Sequence, residues 1–385
     1  CFLRVMKVLL VSTHISQITG YSKVSYNLVL QLSKVCKLFH FGFQRHPKKV
    51  DFRSYPPNVA VYDVVGHDTE PTDGFGFDKI KNYISLVEPD VVMIYNDPLI
   101  VCNFLKKMEY KKDVSPYKLW IYLDQVYQGI HPELVKTMND AAHRMLCFTE
   151  CWKTAYESYG SMPVEVMGHA VDPREFPEVQ LTMRRQLKIP EDAILFLNMN
   201  RNSSRKRLDL TISGFVQFLK TTKTNSCLLL VTGEGYYDIS RICKTEMARW
   251  GIEENRIRIV NSSTNEINDA TINDIYRSCD VGINTSDGEG YGLTVLEHLY
   301  CGKPQIITKL DCYSEFVPDN VVEFVEPVDR TYMSMALGLH APVFTSASVA
   351  DAMHRMVDTL DSKRQAVKCM TFKTWDEVCK NLIQI

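Results

Sequence analysis

The chain is organised by short, unbroken apolar runs that recur between stretches of helical spacing. "MKVLLVST", "DVVMIYN", "KLWIYLD" and "RMLCFT" occupy the first half, and "AILFLNMN", "SCLLLVTG", "RIRIVN", "DVGINTS" and "PQIIT" the second. Runs that are continuously hydrophobic rather than alternating belong to strands buried on both faces, and strands separated by helices are joined by right-handed crossovers in a parallel sheet. The pattern therefore predicts an α/β chain. Because the series is traversed twice, it predicts two doubly wound domains facing a cleft, and 385 residues are too many for one ordinary core. The segment "VEVMGHAVDPREFPEV" interrupts the series, which puts the break near Pro173 to Pro177 and the domains at 1–173 and 174–362. The last stretch, 363–385, has apolar positions at helical spacing and reads as a helical segment crossing back to the first domain.

Composition narrows the function classes. A net charge of -2 offers nothing to a polyanion, so nucleic acid is not an expected partner. Twelve cysteines lie scattered in apolar segments with no CxxC pair, which suits buried, reduced thiols in a cytoplasmic protein. No apolar run approaches the roughly 20 residues of a membrane span, and "CFLRVMKVLLVST" reads as a first strand from near Met6 rather than a signal peptide. "NFLKKMEYKKD" is a basic amphipathic stretch that is either a solvated helix face or a peripheral contact to an anionic membrane. With no HxxH, no His and Cys cluster and no Asp-x-Asp pair, no metal or cofactor is expected.

In open α/β sheets ligands lie beyond the carboxyl ends of the strands, so the loops there carry the chemistry. In "DVGINTSDGEGYGLTVLEHL" a strand ends near Ser286 and a helix begins near Leu293, leaving the amides of Gly292, Leu293 and Thr294 to hold a phosphate. Glu297, one turn into that helix, would accept hydroxyls of a vicinal diol such as a ribose, and Glu289, before it, hydroxyls of another group on the phosphate. Acids near a helix N-terminus are also explained by the helix dipole alone. In "NMNRNSSRKRLDL", Arg201, Arg205, Lys206 and Arg207 cluster at a strand mouth, where they would neutralise a diphosphate or form a solvated basic turn. "LLLVTGEGYYD" has Gly233 and Gly235 but Asp238 where a dinucleotide fingerprint needs a third small residue, so it reads as an ordinary turn. In the first half, Gly20, Tyr21 and Ser22 open a helix expected from near Val24 whose N–H groups would point at the cleft and make these residues donor-binding, with a plain N-cap at Ser22 as the alternative reading. Asn96, Asp97 and Asp124 end strands and are either functional or turn residues; His14, His131 and His143 are weaker candidates.

"EGYGLTVLE" resembles the E-x7-E element of retaining glycosyltransferases of the GT-B fold, which pairs two Rossmann-like domains, and "HLYCGKPQIIT" resembles family 4 in particular. "NRNSSRK", "VEFVEPVD" and "MGHAVDPREF" also resemble segments of that family, and "MKVLLVST" and "ITGYS" sit where it has its first strand and Gly-rich loop. The resemblance implies that Arg201 and Lys206 bind the donor diphosphate, that Glu289 contacts the donor sugar, that Gly290, Tyr291, Gly292, Leu293 and Thr294 hold sugar and phosphate through backbone groups, and that Glu297 takes the ribose. Arg201, Lys206 and Glu289 are thereby the expected catalytic residues, and Asp124, from its place at a strand end, is the candidate on the acceptor side. Three departures stand out: Arg207 where the family usually has glycine, a single glycine, Gly20, where two are common, and Leu123 where many members have histidine.

The expected activity is metal-independent transfer of a hexose, with retention, from a nucleoside diphosphate sugar to a hydroxyl of a glycan or lipid-linked acceptor. A nucleotide-sugar epimerase of the same fold and a non-catalytic nucleotide-sugar-binding protein are the alternatives, and a pyridoxal phosphate phosphorylase is disfavoured. Carboxylates in "SSTNEINDATIND" could accept from the edge of guanine, which makes GDP-mannose the first expectation and a UDP-sugar the second.

Overall fold

The computed structural model of the chain describes all residues except 1–4, 18, 46–52, 68–73, 255, 263–266, 336–337 and 384–385. It forms two compact units, one made mainly of Cys1–His169 with Trp375–Ile385 and the other mainly of Ala170–Met335 with His340–Thr374.

The first unit is built on β1 (Lys7–Thr13), β2 (Lys37–Phe43), β3 (Ala60–Asp63), β4 (Val91–Asn96), β5 (Lys118–Leu123), β6 (Arg144–Cys147) and β7 (Val164–Val166). They form one sheet in the order β3-β2-β1-β4-β5-β6-β7 with parallel pairings. The second unit repeats the plan with β8 (Ile194–Met199), β9 (Ser226–Thr232), β10 (Ile257–Asn261), β11 (Val281–Asn284), β12 (Gln305–Thr308) and β13 (Val322–Val325), ordered β10-β9-β8-β11-β12-β13. A separate hairpin, β14 (Asp329–Ser334) and β15 (Leu339–Val343), follows. The unbroken hydrophobicity of the strands has its cause here. Phe196, Leu228, Leu230 and Ile283 enter one core layer, and their neighbours Leu195, Leu197, Cys227 and Leu229 enter the layer on the opposite face.

In each sheet the strand order reverses next to the first strand, between β1 and β4 and between β8 and β11, so the loops after these strands diverge and leave a crevice. In the second unit those loops are 200–207 and 285–292.

Three strands escape the sequence reading, β2, β3 and β7, as does the hairpin. In β2 the run is broken by a buried polar residue, His40, satisfied by Ser12 Oγ at 2.9 Å and Tyr55 Oη at 2.8 Å. The break between units falls after His169, ahead of the Pro173–Glu175 turn. No break occurs at 363, which lies inside one helix, Ser346–Lys368. The terminal segment begins its return at Trp375. Trp375 is buried 5.8 Å from the His169 ring, and Asp376 pairs with Lys34 at 2.6 Å, close behind the helix Gly20–Leu32. The eleven described cysteines are free thiols. No described helix is long and apolar enough to cross a membrane. Lys106 and Lys107 of the basic stretch occupy the last turn of Pro98–Met108, where they complement the helix dipole while Phe104 and Leu105 face inward.

Candidate active site

Lys206 and Glu289 meet at the switch point of the second sheet. Lys206 ends a short 3-10 turn, Ser204–Lys206, after β8; Glu289 sits in the glycine-bearing loop after β11. The Lys206 ammonium bonds Glu289 Oε1, which also accepts from Ser286 Oγ at 2.8 Å and Asn284 Nδ2 at 3.2 Å. The other oxygen, Oε2, faces Arg205 Nη1 at 3.1 Å. Glu289 is 6% exposed. Burial works against its charge, but the adjacent Lys206 and Arg205 more than offset this and hold the carboxyl well below the usual range. Burial, with Arg205 and Arg201 nearby, pulls Lys206 down to about 8 despite Glu289. The pair is therefore ionised at neutral pH. Arg201 is exposed, and its side chain forms no ion pair among the described residues.

The helix Leu293–Tyr300 starts from Gly292 in a left-handed conformation, φ 95°, with no side-chain cap. The amides of Gly292, Leu293 and Thr294 find no acceptor among the described residues, so the helix tip keeps its partial positive charge. A Cβ at Gly292 would fall 2.5 Å from the Tyr313 ring, so both the φ and the space require glycine there. Tyr291 lies flat on Phe316, ring centroids 4.5 Å apart, which fixes the loop together with Gly290 just before the helix. Glu297 is buried one turn into the helix and accepts a hydrogen bond from Tyr276 Oη at 3.0 Å. Burial, then the Glu297 charge, push the Tyr276 hydroxyl well up, so it remains a donor.

The loop 201–207 is braced from β9. Asn202 Nδ2 donates to Gly233 O at 3.2 Å and Tyr237 O at 2.8 Å, and a Cβ at Gly235 would fall 2.1 Å from Asn202 O. The apparent fingerprint at Gly233 and Gly235 is thus a close backbone approach, and Asp238 caps the next helix through Arg241 N at 3.0 Å. Arg207 stands at φ 46°, ψ 48°, a left-handed position that glycine occupies without strain. Its guanidinium is held by Asp209 at 3.1 and 2.9 Å, and its carbonyl accepts from Thr285 Oγ1 at 2.8 Å.

In the first unit the helix begins at Gly20 rather than near Val24. Its N-cap is Thr19, and Ser22, expected as the cap or a ligand, is the third helical residue; its hydroxyl closes a capping box with Thr19 and accepts from Arg53 Nη1 at 3.3 Å. Ser22 is fully buried. Tyr21 lies beside Tyr95, ring centroids 5.5 Å apart, within reach of the Asp124 charge. Burial first, then the Asp124 charge, keep its hydroxyl protonated. Asp97 caps the helix Pro98–Met108 through Ile100 N at 3.1 Å, and Asn96 Oδ1 accepts from Asp97 N at 3.0 Å. His131 caps its own helix through Glu133 N at 3.3 Å. His143 Nδ1 accepts from Leu119 N at 3.3 Å, and His14 Nδ1 from Ser16 N at 3.2 Å. These histidines have structural duties.

The structure thus gathers Lys206 with Glu289 and Tyr21 with Asp124, and gives Glu297 its own partner. Sequence reading missed Asn284, Ser286 and Tyr276 as the residues that orient the two acids, and Tyr313, whose Oη accepts from Asn284 Nδ2 at 3.2 Å. Asn284 and Ser286 were readable as polar residues at a strand end; Tyr276 and Tyr313 carried no local signal, being brought in from other elements.

Residues 179–339 match the model of the family "Glycosyl transferases group 1". No curated protein sequence matches the chain. Among solved structures, sucrose-phosphate synthase from Thermosynechococcus elongatus superposes with a TM-score of 0.73 at 15% identity, over 98% of each chain. HepE from Anabaena, in complex with UDP and glucose, gives 0.70 at 16% identity, again over 98% of each. An E. coli trehalose-6-phosphate structure bound with UDP-2-fluoro glucose gives 0.68 at 12% identity, over 98% of this chain and 99% of that one. At such identities these likenesses speak for the fold. Over the segment that bears Lys206, Glu289 and Glu297 the chain is similar to glycosyl transferases group 1, and as a whole it has the two Rossmann-like domains of the GT-B fold.

Proposed function

We propose that the protein transfers a hexose from a UDP-sugar to an acceptor hydroxyl, with retention at the anomeric carbon and without a metal. The observation that carries the reading is the convergence, at one switch point, of Lys206, the open amides 292–294 and two buried carboxylates. Breaking the glycosidic bond develops negative charge on the diphosphate. Lys206, Arg201 and the helix tip would stabilise that charge more in the transition state than in the ground state, which is the condition for faster chemistry. Glu297, oriented by Tyr276, would accept the ribose hydroxyls, and Glu289 those of the sugar. Gly290 and Tyr291 would line the sugar side of the same loop. On the acceptor side Asp124 and Tyr21 are the groups proposed to meet the incoming hydroxyl, with Gly20 shaping the turn.

One observation favours uracil over guanine: structural relatives carry UDP, UDP-glucose or UDP-2-fluoro glucose. Of the carboxylates in the stretch that suggested guanine, Asp274 is committed to Thr182, through N at 3.1 Å and Oγ1 at 2.5 Å, Asp269 lies in the first turn of its helix, and Glu266 lies outside the described residues. A GDP-sugar remains the second reading. The deciding measurement is thermal shift with UDP, GDP and ADP, each alone and as its sugar conjugate, followed by nucleotide release with an acceptor present. Stabilisation by none of them sinks the proposal. Isomerisation of donor sugar without acceptor would instead make the protein an epimerase, and binding without turnover on any acceptor a binding protein.

A further inference from the structure

Arg205 was one of four basic residues in its loop, yet its placement differs from the rest. Its guanidinium bonds Gly288 O and Glu289 Oε2, and its own carbonyl accepts from Asp287 N at 3.0 Å, so it is tied to three successive residues of the opposite loop. Lys206 reaches Glu289 through a single ammonium on a flexible stem. Glu289 therefore has two differently served oxygens. Oε2 belongs to a fixed, forked cation; Oε1 is shared by Lys206, Ser286 and Asn284.

In the structure this carboxylate engages Lys206, the cation a diphosphate would need. Drawing Lys206 away leaves a buried carboxylate short of one positive partner, and a buried anion without compensation is costly. We propose that Arg205 is the positioning residue that keeps Glu289 charged and aimed while Lys206 passes from that carboxylate to the diphosphate, so that Oε1 becomes free to accept a sugar hydroxyl. This rests on the nucleotide-sugar reading given above. Exchange of partners links the two halves of the donor: the phosphate takes Lys206 and the sugar hydroxyl takes its place on Glu289. The site then favours a sugar conjugate over the bare nucleotide, and Arg205 sets that preference without touching either.

The test is calorimetric titration of two ligand pairs, UDP with UDP-glucose and GDP with GDP-mannose, into wild type, Arg205→Gln, Arg205→Lys, Glu289→Gln and the Arg205→Gln/Glu289→Gln double variant. For the pair that wild type binds, Arg205→Gln should reduce the affinity ratio of conjugate to nucleotide by about tenfold, the scale of one hydrogen bond to a charged group, with nucleotide alone changed far less. Arg205→Lys should restore part of the ratio. In Arg205→Gln, conjugate binding should also fail at a higher pH on the acid side, because Glu289 has lost a cation. In the Glu289→Gln background, Arg205→Gln should leave the ratio unchanged, since the residue acts through that carboxylate. Equal loss of both ligands would make Arg205 a plain phosphate cation and overturn the proposal, as would a ratio drop that persists without Glu289. Failure of wild type to bind any of the four ligands would remove the nucleotide-sugar reading itself, and the proposal with it.

Discussion

Replacing Lys206 by alanine separates the energetic roles of this residue. Two costs arise. In the folded protein Lys206 neutralises Glu289, and breaking a buried ion pair costs about 3–5 kcal/mol when the remaining charge is left without partners. Here it keeps Arg205 at 3.1 Å, Ser286 at 2.8 Å and Asn284 at 3.2 Å, so the stability loss should fall below that range, about 1–3 kcal/mol. In the reaction Arg201 and the helix tip already serve the diphosphate, and the other cations of the loop are committed, Arg205 to the opposite loop and Arg207 to Asp209. Loss of one preorganised electrostatic donor costs about 3 kcal/mol, or roughly 150-fold in turnover at about 1.4 kcal/mol per decade. The assay is release of nucleoside diphosphate at saturating donor and acceptor, alongside thermal unfolding to show that the variant is folded. Turnover within threefold of wild type in a folded Lys206→Ala protein would refute the electrostatic argument.

Four further outcomes follow from the same geometry. Glu297→Gln should weaken nucleotide affinity by about 10- to 100-fold, the range for a hydrogen bond to a charged group, while the fold persists; unchanged calorimetric affinity would remove the ribose contact. Gly292→Ala places a Cβ 2.5 Å from the Tyr313 ring at φ 95° and should cost about 1–3 kcal/mol of stability, together with most activity; a wild-type melting curve would contradict it. Arg207→Gly relieves a left-handed residue at the expense of the Asp209 pair, so stability should change by less than about 1 kcal/mol and activity should survive; inactivation would show that Arg207 serves the donor directly. Because burial sets Lys206 near 8, below the ordinary lysine value, the unliganded site holds its full charge below that pH and loses it above. Nucleotide affinity should therefore decline from pH 7 to 9 in wild type but stay flat in Lys206→Ala, as titration calorimetry would show.

The chain's periodicity alone determined the α/β class, the duplication and most of the parallel strands, because a strand buried on both faces must be apolar throughout and that is a local property of the sequence. The loops worth inspecting were legible for a related reason: chemistry collects where strands end, and "NRNSSRK" and "DGEGYGLTVLE" carry charge and glycine there. Arg207 shows the limit. Its sequence neighbourhood marks only a departure from glycine, whereas the backbone shows the left-handed turn that explains it. Ser22 looked like a cap and sits three residues inside the helix, since the box with Thr19 depends on backbone geometry that spacing does not reveal. Which charges meet was decided only by tertiary structure. Sheet order puts β8 beside β11, though the 81 residues 200–280 lie between the two strands, and so sets Arg205 and Lys206 against Glu289. Ion pairing depends on distance through space and on exclusion of water, and neither is written in the order of residues along a chain.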